Sequence, residues 1–471
     1  MHIILIRPDL PKEAPIGRLF PQLPIGLAYI AGVLEMNGFK ITILDDYLIR
    51  KGAKYIAEQV KSLDADLIGI TCNLATVITT AEIVNELLPF NIPTVIGGPE
   101  VTINPERTLS RTNAPIGICG EGEYTMLEIC NRLSNNELTI DKLRDILGIV
   151  YKLPDGEIKI NPSRSLIKNL DELPFLPLHL FPMDKYERTM AELSVSPVDI
   201  LSTSRGCPFN CSFCNNKYVW GRNYRVMSGS RIVNELEFLI KNYGTKGVFF
   251  REDHFTLNKK RVYEFCSEIE IRKINIHWGC ESRADALNED LIRTMKKAGC
   301  ESIWFGVESG TPRVLKMLKK DIDIEQVEYI FKLCKKYKIQ VGASVMIGIP
   351  GQTLEENYET LKFVKKLNPD WAYFNTFVGY PGSEMYDIIV EKGLIYKKWE
   401  DLILPNSEVL TWQEKVRFKE RAEIRFNTRP KVIIRHIKRM GIRRFIKKAL
   451  NTLYRFYKVR SFNKAITLQY E

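Results

Sequence analysis

Cys207, Cys211 and Cys214 fall within eight residues, in the segment Ser204-Arg-Gly-Cys207-Pro-Phe-Asn-Cys211-Ser-Phe-Cys214. The spacing C-x3-C-x2-C directly follows an apolar run, so three thiolates on one short loop can converge on one metal centre. Sulfur ligands of this kind select zinc or an iron–sulfur cluster. A structural zinc site takes four protein ligands, whereas the next His or Cys along the chain, His254 and Cys266, are distant. Three ligands on a four-iron cubane instead leave one iron open to a substrate or cofactor. Zinc completed from afar, three unligated thiols, and a non-enzymatic iron–sulfur carrier or sensor are the alternatives. The other seven of the ten cysteines are scattered and read as small buried apolar side chains.

Elements that could position such a loop recur on both sides of it. After residue 198, strands are expected over 199–204, 247–253, 275–282, 302–309, 340–350 and 371–377. Helices fall between them at 229–242, 258–271, 288–298, 324–337 and 353–366. Six strand–helix units predict a partial α/β barrel, shorter than the closed eight-stranded one. Before it, apolar runs at 2–6, 40–45, 65–71, 94–98 and 115–120 alternate with helical stretches. That alternation predicts a doubly wound parallel sheet of the Rossmann-like, flavodoxin type, which binds ligands beyond the carboxyl ends of its strands. A hairpin is expected over 147–160. The reading is therefore four segments: 1–165, a linker 166–195 marked by Pro174, Pro177 and Pro182, a barrel 196–410, and a helical region 411–471.

Composition excludes several classes. At 471 residues, 45% hydrophobic and 27% charged, the chain is an ordinary globular protein of about three domains. No run approaches the ~20 apolar residues of a membrane-spanning helix. The four apolar residues Ile3–Ile6 are too few for a signal-peptide core, so a cytoplasmic protein is expected. Residues 424–470 carry 14 Lys or Arg and no acid, while the remaining 54 basic residues face 57 acidic ones. The basic character thus belongs to one C-terminal segment, with Ile433, Ile434 and Ile437, then Ile442, Phe445, Ile446, Ala449, Leu450 and Leu453, at helical spacing. It fits a helix packed on the barrel or a peripheral contact with an anionic membrane surface. Nucleic acid is the least favoured partner.

With Phe213 in the aromatic place, C-x3-C-x-aromatic-C resembles the signature of the radical S-adenosylmethionine (SAM) superfamily, over about residues 196–385. The resemblance implies that Cys207, Cys211 and Cys214 hold a 4Fe–4S cluster whose open iron is chelated by SAM. Reductive cleavage of SAM then gives a 5′-deoxyadenosyl radical. It further implies SAM contacts from Phe213 (backbone to adenine), Glu252 and Asp253 (amino group), Arg283 with Glu281 beside it (carboxylate), Glu308 and Ser309 (ribose or methionine part), and Gly348 (adenine). Gln352 stands where many members have Glu. No catalytic residue beyond the cluster ligands is assigned.

The order of domains resembles the cobalamin-binding branch of that superfamily, with echoes in Leu23-Pro24-Ile-Gly-Leu27, Gly97-Gly98-Pro99-Glu100 and Gly120-Glu121-Gly122-Glu123. Cobalamin contacts are expected from Pro24, Thr71, Asn73, Gly97, Gly98, Pro99, Glu100, Gly120, Glu121 and Gly122. An axial histidine loop is missing: His2 is the only His before His179. The resemblance implies a methyltransferase acting on an unactivated carbon of a small-molecule or lipid-like substrate, supplied with electrons by a flavodoxin or ferredoxin. A cobalamin-type cyclase or oxidoreductase is the alternative. An RNA-modifying methylthiotransferase is a more distant one, because Cys72, Cys119 and Cys130 do not form its second-cluster motif.

Overall fold

A computed structural model describes residues 1–12, 14, 21–440, 442 and 446. The N-terminal sheet contains β1 (His2–Arg7), β2 (Lys40–Asp45), β3 (Leu67–Thr71), β4 (Thr94–Gly97), β5 (Ile116–Ile118), β6 (Ile149–Lys152) and β7 (Ile158–Ile160), in the order β2-β1-β3-β4-β5-β6-β7. The first five pair in parallel, and β6 and β7 add the expected hairpin antiparallel. The order 2-1-3-4-5 puts the switch point between β1 and β3. Alternate residues of β1 enter two separate cores: Ile4 and Ile6 lie with Ile68, Ile70 and Ile96, while Ile3 and Leu5 lie with Leu27, Leu34 and Val95. Burial on both faces is why these strands read as unbroken apolar runs.

The second sheet comprises β8 (Val198–Leu201), β11 (Gly247–Phe250), β12 (His277–Ser282), β13 (Cys300–Glu308), β14 (Gln340–Ile347) and β15 (Trp371–Thr376). All are parallel, in the order β15-β14-β13-β12-β11-β8, so the sheet runs through six strands without β15 pairing to β8. The strand expected over 199–204 is divided. β8 ends at Leu201, and β9 (Ser204–Arg205) turns aside to pair antiparallel with β10 (Arg225–Val226). A hairpin that sequence reading left out, β16 (Ile395–Trp399) and β17 (Leu402–Pro405), follows the barrel. Its turn reaches the N-terminal helix Pro105–Thr112 through the ion pairs Arg107–Asp401 and Arg111–Glu400.

The helix Trp412–Asn427 packs on β15, and Pro430–Met440 continues the chain. Gly441, Phe445, Ala449, Leu450 and Leu453 lie outside the described residues. Among the described residues no helix is long and apolar enough to cross a membrane.

The N-terminal sheet and the barrel share a core. Ala28, Tyr29 and Val33 of the helix Ile25–Met36 join Leu170–Phe181 of the connecting segment and the outer face of the barrel. Gly32 makes that junction possible, since a Cβ there would stand 2.9 Å from Pro174 Cγ. Buried Glu235 accepts the Leu176 N–H at 3.2 Å and pairs with Arg231 at 3.0 Å, tying the same segment to the barrel's first helix.

On the lumen side Leu193 and Val195 close over Phe249 and Trp304. Atoms of the Trp304 indole fill the space that a Cβ on Gly342 of β14 would take. Gly342→Ala therefore overpacks the lumen. It should lower the denaturant midpoint by the equivalent of ~1–3 kcal/mol, and an unchanged midpoint in chemical denaturation would contradict this packing.

Candidate functional site

The cysteine loop is a closed structure with a two-residue stem. Arg205 and Arg225 are register partners across β9 and β10, and residues 206–224 bulge between them. Gly206 opens the bulge at φ +85, where a Cβ would collide with the Asn223 carbonyl. The loop is then pinned at its middle: Ser212 N–H donates to the Leu318 carbonyl, and its own carbonyl accepts from Met385, each at 2.9 Å. Cys207 and Cys211 are half-buried and Cys214 is exposed. Burial pushes the half-buried Cys207 and Cys211 thiols up, while Lys320 and Arg283 pull Cys211 back. Nearby cations favour the thiolate form that a metal centre requires.

Among the described residues no three His, Cys, Asp or Glu side chains stand close enough to hold a single metal ion. The three thiols share one loop without closing on the ~2.3 Å radius of a zinc–sulfur shell. A donor set of three spaced thiols flanked by two cations fits a larger, anionic iron–sulfur centre.

The strand-end acids that the sequence places around SAM separate into two groups. Asp253 is exposed beside the loop and accepts from Asn216 Nδ2 at 2.5 Å. Glu252, one residue away, is buried. It accepts from Thr203 N–H at 2.5 Å and Oγ1 at 2.8 Å, and pairs with Arg261 at 2.9 Å. Both residues lie in a bend beyond β11 (Gly247–Phe250), where Glu252 turns inward and Asp253 stays exposed.

Glu308 is half-buried at φ +62, a conformation a non-glycine residue seldom adopts; its Oε1 is 3.0 Å from the Lys320 ammonium. Glu281 pairs with Arg251 at 2.8 Å at the partly open edge of the site, and burial raises its carboxyl. Phe213 packs beside Met346 and Ile349, with Lys320 Nζ 6.0 Å from its ring.

Three expected contacts are spent inside the protein. Arg283 directs Nε and Nη2 at Asp285 (3.1 and 2.8 Å) and Nη2 also at the Lys320 carbonyl (2.7 Å). Its guanidinium lies 3.7 Å over Phe209, which stacks on His254, so it supports the cysteine loop rather than presenting a free fork. Ser309 is fully buried against Thr311 and Thr360. Gly348 is buried, donates to Asn357 Oδ1 at 2.9 Å, and is covered by Lys415, whose methylenes a Cβ would meet at 2.5–2.7 Å.

The N-terminal carboxyl edge faces this loop. The helix Pro99–Ile103 packs against the loop helix Asn216–Trp220, and Tyr29 OH donates to the Ser202 carbonyl at 3.2 Å. At this edge Gly120 (φ +81) looks into open space, with nothing within 4 Å of a Cβ, so its backbone is available to a large flat ligand. Gly97, Gly122, Thr71 and Pro24 are half-buried, and Pro99 is exposed.

Gly98 has a different reason to be glycine from the one expected. At φ +116 its Cβ would lie 2.6 Å from the Cys72 carbonyl, so close approach of β3 explains it. Asn73 caps the next turn by accepting Ala75 N–H at 2.9 Å, and buried Glu100 accepts from Asn104 at 2.9 Å. Glu121 is not open to a ligand: Arg205 and Arg225 both bind it.

These arginines, with Lys320 and Lys415, are the site residues that sequence reading missed. Each sits outside a recognisable motif, and only Arg205, two residues before Cys207, had a positional signal.

Comparison with known proteins follows the same division. The Radical SAM superfamily profile matches residues 201–364, and the B12 binding domain profile matches residues 19–130. The uncharacterized methyltransferase PH0819 of Pyrococcus horikoshii is 34% identical over 97% of this chain and 99% of its own length. The chain belongs to the radical SAM superfamily, in its cobalamin-binding branch. Its cofactors are accordingly a 4Fe–4S cluster, SAM and cobalamin. The anaerobic magnesium-protoporphyrin IX monomethyl ester cyclase of Rubrivivax gelatinosus is 28% identical over 83% of this chain and 70% of that protein. The structure of the cobalamin-dependent S-adenosylmethionine radical enzyme OxsB with aqua-cobalamin bound shares the fold at TM-score 0.75. It is 17% identical and covers 98% of this chain and 72% of the other.

Lys415 gives this radical SAM protein a pH signature. Its ammonium is buried with no hydrogen-bond partner among the described residues, and burial pulls the amine down to about 7 from 10.5. The unfolded chain therefore binds the proton more tightly. Stability should rise between pH 7 and 10.5 and gain nothing from this group below 7. Lys415→Met should flatten that rise and raise the melting midpoint at pH 7, by roughly 3 kcal/mol of stability. A variant melting lower than wild type at pH 7, with an unchanged pH slope, would refute the unpaired amine.

Proposed function

We propose that the protein is a cobalamin-dependent radical SAM C-methyltransferase acting on an unactivated carbon of a small-molecule or lipid-like substrate. The observation that carries this reading is that the carboxyl edges of the two sheets meet across the cysteine loop. The edge where cobalamin would lie is thereby joined to the loop that would hold the cluster, through the packing of Pro99–Ile103 on Asn216–Trp220 and the Arg205–Glu121 pair. A cluster, SAM and cobalamin bound there would supply a 5′-deoxyadenosyl radical to activate the substrate carbon and a methyl group to place on it. The full-length match to a protein named a methyltransferase favours methylation over ring closure, the activity named for the cyclase relative.

In this reading residues 1–165 hold cobalamin and 196–410 hold the cluster. Cys207, Cys211 and Cys214 ligate iron, and the Phe213 backbone lies against adenine. Asp253 receives the SAM amino group, because it is the acid of the Glu252–Asp253 pair that faces the site. Glu308, held by Lys320, takes the ribose or methionine part, and Glu281 lines the entrance with Arg251. Electrons come from a flavodoxin or ferredoxin. A peripheral contact with an anionic membrane surface is supported by exposed Ile424 and Ile434 beside Arg425, Lys431 and Arg435. Of these, Arg435 is already paired with Asp370.

The protein, purified anaerobically after growth with cobalamin, should carry about four iron atoms per chain, as one cubane requires, and form 5′-deoxyadenosine from SAM and a strong reductant. Alanine at any of the three cysteines should abolish both the brown colour and that product; coloured, active variants would overturn the assignment. About eight iron atoms would point instead to the methylthiotransferase reading. Asp253→Asn should keep the iron but weaken SAM binding ~10-fold or more, the worth of one charge-assisted hydrogen bond. Unaltered SAM affinity in equilibrium dialysis would remove Asp253 from the site.

A further inference from the structure

The stem of the cysteine loop is held by the N-terminal domain. Arg205 donates to Glu121 at 2.7 Å and Glu123 at 2.6 Å, and Arg225 bonds both Glu121 oxygens at 2.8 Å. Glu121 also accepts the Ile167 N–H at 2.7 Å, while Arg225 reaches the Ile167 carbonyl at the same distance. The Arg205 guanidinium lies 5.4 Å from the Tyr29 ring centroid and 5.2 Å from that of Trp220. All four charged side chains are less than 10% exposed, and their two positive and two negative charges balance.

The two sides of this cluster belong to different cofactors. Arg205 and Arg225 are the two ends of the loop that carries all three cysteines. Glu121 and Glu123 belong to the turn Gly120–Glu123, whose Gly120 opens onto the cobalamin edge. No flexible segment intervenes. One residue from Arg205, Gly206 is locked against Asn223, and Glu123 begins the helix Glu123–Ser134. A buried, balanced ion cluster has few alternative arrangements, because displacing any member strands an uncompensated charge. A shift of the loop on binding SAM must therefore move the turn, and a ligand seated on the turn must constrain the loop.

We propose that the Glu121–Glu123–Arg205–Arg225 cluster is a positioning device that couples the two cofactor sites, so that SAM on the cluster loop strengthens cobalamin binding and the reverse. This rests on the cobalamin-dependent reading above. Reciprocity is required by linkage, and couplings of this kind usually amount to fivefold or more in affinity.

The test uses the full-length, cluster-reconstituted protein under anaerobic conditions without reductant. Hydroxocobalamin is titrated with and without saturating SAM, and free cobalamin is measured after ultrafiltration. For wild type, SAM should lower the cobalamin dissociation constant about fivefold or more. Glu121→Gln should cut that ratio below twofold, as on the order of 1 kcal/mol of coupling is lost, while its iron content and cluster absorbance stay at wild-type levels. If Glu121→Gln does not fold, Glu123→Gln decides, because it leaves Glu121 holding both guanidiniums; an intermediate ratio is expected. A wild-type ratio of one, or a full wild-type ratio in the variant that folds, overturns the coupling while leaving the cobalamin reading intact. Wild type that retains no cobalamin at all overturns that reading and this one together.

Discussion

Glu121 bonded by two arginines is the constraint on which the working geometry depends. A carboxylate desolvated this far is tolerable only with its guanidiniums in place, and the guanidiniums need it equally. Because Arg205 and Arg225 close the cysteine loop, the pairing fixes where the loop stands. Because Glu121 sits in the turn after β5, it also fixes which edge of the N-terminal sheet the loop faces. The shared core that runs from Tyr29 through the connecting prolines to the barrel supplies the cohesion, but apolar contact is not directional. The ion cluster sets the register of one sheet against the other.

Within the barrel a similar economy governs the acids at the strand ends. Of Glu252 and Asp253, one is folded inward to satisfy Thr203 and Arg261, and its neighbour is left to the site. Arg283 and Ser309 brace the loop and the helix that follows, and Gly348 accepts the stem of Lys415. The charged groups nearest the cysteines balance: Asp253 and Glu308 stand with Lys320, which holds Glu308, and Arg283, which is engaged by Asp285.

The division between what was legible and what was not follows contact distance along the chain. Both parallel sheets, their strand order class, the hairpin at 147–160 and the cysteine loop were readable because each depends on local pattern: apolar runs, glycine and proline breaks, and thiol spacing. The split of the 199–204 strand was not. Ser204 and Arg205 have ordinary strand character, and only their pairing with residues twenty positions later diverts them. The burial of Lys415 likewise depends on partners far away in sequence, whereas the β16–β17 hairpin is a local pairing that the sequence reading left out.

Glycine shows the same boundary at a single residue. From sequence, Gly97-Gly98 and Gly120 look equivalent, as small residues after strands. In the fold Gly98 is required by the Cys72 backbone, whereas Gly120 opens onto space where a ligand can lie. The sequence by itself narrowed the cofactor chemistry, because three cysteines at that spacing on one short loop suit a metal or iron–sulfur centre and their resemblance to the radical SAM signature implied a 4Fe–4S cluster with SAM. Only the tertiary structure decided which acids, glycines and arginines are engaged within the protein and which stay open at the strand ends, because that depends on what each side chain meets across the chain.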